Sequence, residues 1–417
     1  MTDLARRLGV RQAVVIGLGS MLGAGVFVVW APAADEAGSG PALLAALGVA
    51  ALVAFCNATS SARLAARYPR SGGTYVYGRE RLGGLAGFVA GWGFVVGKTA
   101  SCAAMALTIG AYLWPDGARV VAVAAVVAWT AVNLRGVEKT ARATGWLVAV
   151  TLSVLAAVVV AGAVAGDAQA GRVAAGGGAG AYGVLTAAGL IFFAFAGYAR
   201  IATLGEEVRD PRRTIPRAVP LALGAVLAVY VAVAVVALAV LGPRGLARST
   251  APLAAVADAT GLPGLSPVVR VGAAVAVTGV LLALLAGVAR TVLAMARERD
   301  LPAVLDAVHP RVRVPHRAQL AVGAVVAAVA ATGDIRHAIG FSSVTVLVYY
   351  AITNACALTL GREPGRRLPV QAVAATGLVG CVVLSATLPL ASVLAGVGVL
   401  AVGVAWYGAR RWRAGRG

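Results

Sequence analysis

Long apolar runs separated by short arginine-bearing loops pattern this chain from residue 12 to residue 408. A helix needs about 20 apolar residues to cross a bilayer's hydrocarbon core, and against that length the chain predicts about twelve spans. They cover residues 12–32, 41–66, 84–113, 118–134, 144–165, 181–206, 216–241, 267–295, 317–333, 337–360, 368–387 and 389–408. Two runs carry glycine interruptions, Gly19-Ser20-Met21-Leu22-Gly23-Ala24-Gly25-Val26-Phe27 and Phe192-Phe193-Ala194-Phe195-Ala196-Gly197-Tyr198-Ala199-Arg200, and they hold corresponding places in the two halves. Hydrocarbon cannot satisfy the N–H and C=O groups of unwound backbone, so such breaks persist only in protein or along a cavity. A matched pair points to the binding site of a transported solute.

Composition agrees with membrane spans: 60% of the residues are hydrophobic and only 12% charged. The formal net charge of +20 suggests nucleic acid until the arginines are placed. They gather in alternate loops, as in Arg63 to Arg81, Arg135 to Arg142, Arg209 to Arg217 and Arg290 to Arg317, while the opposite loops hold scattered arginines such as Arg119, Arg172, Arg244, Arg248 and Arg336. The positive-inside rule then predicts a multi-pass cell-membrane protein with both termini cytoplasmic and no nucleic-acid partner. The stretch from Met1 to Arg11 is short and polar, so the first helix is expected to be retained rather than cleaved.

Enzyme chemistry finds no foothold. Cys56, Cys102, Cys356 and Cys381 fall within predicted spans without ligand spacing and read as small apolar residues; His309, His316 and His337 are placed in loops. No P-loop, zinc signature or nucleophile elbow occurs, so neither cofactor nor metal is expected. A channel would call for carbonyl or charged rings, which the pattern does not show.

Several motifs resemble the amino acid-polyamine-organocation superfamily of permeases. Gly23-Ala24-Gly25-Val26-Phe27 is similar to the family's first-helix glycine motif. The segment from Phe192 to Tyr198, followed by Glu206-Glu207-Val208-Arg209-Asp210-Pro211 and on to Pro216, resembles its sixth helix and the loop after it. Tyr68 to Tyr75 and Ala294 to Pro302 also look like family motifs. The resemblance implies an all-α integral membrane protein with the leucine-transporter-type 5+5 inverted repeat and broken first and sixth helices. It forms one domain, with a first five-helix repeat over 11–165, a second over 181–360 and two added helices over 368–408.

The resemblance places the substrate between the two broken helices, and helix physics agrees. A half-helix N-terminus suits a carboxylate and a half-helix C-terminus suits an ammonium. The N–H groups of Ala24, Gly25 and Val26, following Gly23, would take the carboxylate, and the carbonyls of Met21 and of Ala194 or Ala196 the amino group. Close helix packing is the competing explanation for Gly23 and Gly25. Ala24 stands where many relatives have Ser, so backbone donors must suffice. Phe193 falls where the family places an aromatic cover and gate. Ala199 stands where relatives often carry an acid, and Arg200 follows it. Glu206 and Glu207 are candidates for an inner gate, with a solvated helix end as the alternative. Asp35 and Glu36 are expected to face the external vestibule.

Lys98 is the sharpest residue. It lies mid-span, where a charge costs roughly 2.5–3.5 kcal/mol or more, in a chain with only two lysines among 36 basic residues. Lys98, Cys102 and Met105 share a helical face that the family alignment turns toward the substrate. Proton-coupled relatives carry a lysine in the fifth helix, but the matching position here is Thr151. Lys98 is therefore the candidate proton carrier, with pairing to an acidic substrate and simple snorkelling as alternatives. The expected function is a secondary transporter importing amino acids by alternating access with a proton as coupling ion; exchange of an amino acid for an amine or polyamine is the other reading. The expected partners are an amino acid or amine, a proton and the lipid bilayer.

Overall fold

A computed structural model describes residues 8–68, 72–136, 141–164, 168–177, 179–202, 208–361 and 370–414. The described residues form helices; their only β pairings are isolated bridges, Leu8 with Val208 and Ser39 with Gly176. Among the described residues ten helical runs are long and apolar enough to cross a membrane, and the 17-residue apolar helices Ala118–Leu134 and His316–Thr332 stand at the two other predicted spans. His316 and His337 lie in helices rather than loops.

The first span is three pieces. Helix α1 (Val10–Met21) stops at Leu22, Gly23 is non-helical, and α2 (Ala24–Val28) leads through Val29 into α3 (Trp30–Ala37). The bonds from Val29 N–H to the Gly25 carbonyl and from Ala33 N–H to the Val29 carbonyl make α2 and α3 one slightly bent helix. The second span, α4 (Gly40–Arg67), is capped by the Ser39 hydroxyl, which accepts from the Ala42 amide. A short α5 (Thr74–Leu82) turns the chain into α6 (Gly84–Leu113), then α7 (Ala118–Leu134), α8 (Ala141–Val164) and the single turn α9 (Ala170–Val173).

The sixth span is the second broken one. Helix α10 (Gly180–Phe195) tightens into a 3₁₀ turn over Ala196–Tyr198 before α11 (Ala199–Ala202). The interruption is thus a tightened turn, which costs fewer backbone hydrogen bonds than a fully unwound segment. Helix α12 (Pro211–Arg248) loses regular geometry at Gly242, whose φ of +68° suits glycine, directly before Pro243. There follow α13 (Pro252–Ala259), α14 (Leu265–Arg297), α15 (His316–Thr332), α16 (Ile335–Leu358), α17 (Val370–Thr387) and α18 (Leu390–Ala414).

The spans pack on one another across the two halves of the chain. Helix α4 lies against α10 and α12, which also hold α3, and α1 lies along α12. Helix α6 packs on α14, α16, α7, α15 and α18. It is the most enclosed span, 89% buried over its most apolar window, whereas α17 and α18 are 22% buried and form the outer layer. Helix α2 touches both α6 and α10.

Candidate solute-binding site

Two glycines let the broken helices cross. A β-carbon on Gly25 would lie 2.5 Å from the Cα of Ala194, and one on Gly197 would lie 2.2 Å from the carbonyl oxygen of Ser20. Neither neighbour is a flexible side chain that could move aside. Each break therefore sits on its partner. Gly25 thus packs directly against the backbone of the sixth span. A β-carbon on Gly23 would meet Val280 of α14 at 2.9 Å, so that glycine also faces a neighbouring helix.

Three tyrosines satisfy the carbonyls that helix interruption frees. The Tyr230 hydroxyl, on α12, donates to the carbonyls of Met21 (2.8 Å) and Ala194 (3.0 Å), bridging both breaks. The Tyr350 hydroxyl, on α16, donates to the Ala196 carbonyl at 3.3 Å. The Tyr112 hydroxyl, on α6, donates to the Phe27 carbonyl at 2.7 Å and accepts from the Leu253 amide. All three side chains are buried. Sequence reasoning missed these residues; the signal was a phenol inside an apolar span, where its hydroxyl must find a partner.

Around this crossing Ala24, Val26 and Cys102 are wholly buried, and Phe193, Met105 and Lys98 are each 8% exposed. Lys98 forms no hydrogen bond or ion pair among the described residues. Lys98, Cys102, Met105 and Tyr112 recur at helical spacing on one face of α6, and Tyr112 touches α2 edge-on at Phe27. At Tyr112 this face meets the first broken helix. Thr151 on α8 is buried, and its hydroxyl bonds the Leu147 carbonyl of its own helix. Glu206 and Glu207 lie outside the described residues, and Arg200 is exposed on α11.

At the far end of the crossing, Arg336 at the start of α16 reaches Asp35 of α3 at 2.6 Å and the Ala247 carbonyl of α12 at 2.6 Å. An apolar groove of 590 Å³ opens elsewhere, between α6, α15, α16 and α18, and none of the expected binding residues lines it. No group of three or more potential metal ligands occurs among the described residues.

The chain matches the amino acid permease family model over residues 8–407. It is 66% identical over 409 residues to an uncharacterized transporter of Mycobacterium tuberculosis, covering 98% of this chain and 92% of that one. It is 30% identical over 388 residues to human cationic amino acid transporter 4 (86% of this chain, 60% of the relative) and 26% identical over 338 residues to a branched-chain amino acid permease of Bacillus subtilis (75% and 72%). These relatives are transporters rather than enzymes, and ten candidate spans make this a multi-pass membrane protein. The chain belongs to the amino acid permease family.

Proposed function

We propose that this permease imports α-amino acids by alternating access, with the substrate held where the two broken helices cross. The supporting observation is the crossing of Gly25 on Ala194 and Gly197 on Ser20, which brings free helix ends of opposite polarity together. The outer half-helix from Ala24 presents N–H groups to the substrate carboxylate. The carbonyls of Met21, Ala194 and Ala196 receive its amino group beside the tyrosine hydroxyls. Phe193 covers the bound solute, and Cys102 and Met105 line it from α6. Relatives named for cationic and for branched-chain amino acids share only the backbone end of their substrates. A backbone reader suits that common part.

In this reading the helices form inverted repeats over 11–165 and 181–360, with 368–408 appended, and both termini lie in the cytoplasm of a cell-membrane protein. A proton is the coupling ion, and Lys98 carries it by alternating between charged and neutral forms. Its mid-span position, with no hydrogen-bond or ion-pair partner among the described residues, supports that role. Glu206 and Glu207 would contribute to the inner gate.

The test is uptake by the full chain in proteoliposomes, over a panel of labelled amino acids and amines, with and without an acid-outside pH gradient. Accumulation of an α-amino acid that collapses with the gradient is the expected result. Uptake only against a preloaded amine would replace import by exchange, and no movement of any solute would end the transport reading.

A further inference from the structure

The apolar groove between α6, α15, α16 and α18 has a volume of 590 Å³. Helices α15 and α18 both pack on α6, and the groove runs between them. Its α15 wall extends from Ala321 through Val325 and Val329 to Gly333. At 1.5 Å per residue that wall is about 18 Å long, close to the roughly 15 Å of hydrocarbon in one leaflet of a bilayer. The other walls are apolar as well, with Val95, Val96 and Ala100 on α6 and Ala391, Ala395 and Val399 on α18. Polar groups on these walls are engaged by the protein itself. The Thr99 hydroxyl donates to the Val95 carbonyl at 2.7 Å, and the Trp92 indole donates to the Val399 carbonyl at 2.9 Å. Ser392 is buried. At one end of the groove Asp334 and His337 bond each other.

The other end is basic. Leu301 and Leu305 line it, in the connection from α14 to α15. Between residues 297 and 317 stand Arg297, Arg299, Arg311, Arg313 and Arg317, against Glu298, Asp306 and the wholly buried Asp300. Arg297 bonds Asp306 at 3.1 Å. Arg317 lies one turn before Ala321, so Arg317, Ala321 and Val325 follow one another on the face of α15 that lines the groove. Its guanidinium reaches the Val304 carbonyl, next to Leu305, at 3.4 Å and forms no ion pair among the described residues. Most of its five donors therefore stay available.

We infer that the groove holds one acyl chain of an anionic phospholipid whose phosphate lies at Arg317. An empty groove would forfeit dispersion contacts along its walls, so a chain from the bilayer fills it and bridges α15 to α18. A lipid tail is as apolar as these side chains, so the tail gains little over staying in the bilayer. The choice among lipids therefore falls to the headgroup. A guanidinium fork matches a phosphate. A choline headgroup would bring its own cation to this arginine-rich end, whereas a glycerol headgroup brings none. The Asp334 carboxylate at the opposite end repels an anion, so the charges at the two ends fix which way the lipid points.

For the test, the full chain is reconstituted in phosphatidylcholine vesicles with a minor fraction of phosphatidylglycerol, and the lipid it retains is identified by native mass spectrometry. Wild-type protein is expected to keep one phosphatidylglycerol at about fivefold its bulk proportion, the preference that a single arginine near the surface supplies. Arg317→Gln should still hold a lipid, because the groove is intact, but close to the bulk proportion. Ala321→Trp fills the groove beside Arg317 and leaves every arginine in place, and it should abolish the enriched species. Should Ala321→Trp fail to fold, Ala395→Trp blocks the same groove from α18. Enrichment that survives in a folded tryptophan variant would place the lipid on the basic connection alone and overturn the inference. Unchanged enrichment in Arg317→Gln overturns it too, as does wild-type protein that keeps lipid only at the bulk proportion or forms a dimer holding none.

Discussion

Gly25 and Ala194 meet so closely that a β-carbon on the glycine would fall 2.5 Å from the alanine Cα. The contact is backbone on side-chainless backbone, so it cannot relax by a rotamer change. It fixes how the outer half of the first span lies across the sixth.

Gly25→Val is therefore expected to disrupt the crossing itself. Overpacking of this kind costs about 1–3 kcal/mol, and the displaced half-helix would also misplace its amide donors. A fall in melting temperature together with loss of uptake is the expected result. Wild-type uptake by Gly25→Val would show that the crossing is not tied to transport.

Tyr230→Phe keeps the ring, which packs edge-on against Trp30 and Phe195, and deletes only the hydroxyl. Each lost hydrogen bond is worth roughly 0.5–1.5 kcal/mol, so the variant should fold with a modest loss of stability. Because the hydroxyl links both breaks, KM for uptake is expected to rise about tenfold. A change in stability without any change in KM would make Tyr230 a packing residue only.

Lys98→Met removes a mid-span charge that costs roughly 2.5–3.5 kcal/mol to place there, so the variant should be at least as heat-stable as the parent. Accumulation driven by an acid-outside gradient should disappear, while exchange without a gradient persists. Full gradient-driven accumulation would exclude Lys98 as the proton carrier, and loss confined to acidic substrates would make it their partner instead.

Asp334 caps α16 by accepting from the His337 amide at 3.0 Å and also contacts the His337 ring. Burial raises this carboxyl, but the hydrogen bonds from His337 outweigh it, and the net position is below the ordinary 3.8. A carboxyl lowered in the native state adds stability above its ordinary value, and that stability is lost as pH falls through the native one. Melting temperature should therefore drop as pH falls below the ordinary carboxylate value of 3.8. Asp334→Asn keeps the cap without the titration, so its curve should be flatter over that window. Identical curves would remove Asp334 as the source. The side chain is about half exposed, so the expected step is small.

Much of the fold was legible because apolar length has one meaning in a bilayer. The expected runs at 84–113 and 118–134 coincide with α6 and α7. The first break lies inside the glycine motif, since Gly23 and Gly25 mark both where the helix stops and where a neighbour approaches. The second was harder to read: Gly197 lies in a 3₁₀ turn, and nothing local distinguishes that turn from an unwound segment. The tyrosines at the crossing were not legible. Tyr230 and Tyr350 come from helices remote in sequence, and their roles depend on which carbonyls the tertiary packing leaves free. The ion pairs of Asp300 were hidden for the same reason, because Arg79 and Arg410 converge on it from positions 221 and 110 residues away.

The central claim is that the solute lies at the crossing of the two broken helices, and a cryo-electron microscopy map of the protein with a transported amino acid tests it most directly. The account predicts density for the carboxylate at the Ala24, Gly25 and Val26 amides and for the amino group at the Met21 and Ala194 or Ala196 carbonyls. Solute density in the apolar groove between α6, α15 and α18, with the crossing closed to ligand, would contradict it.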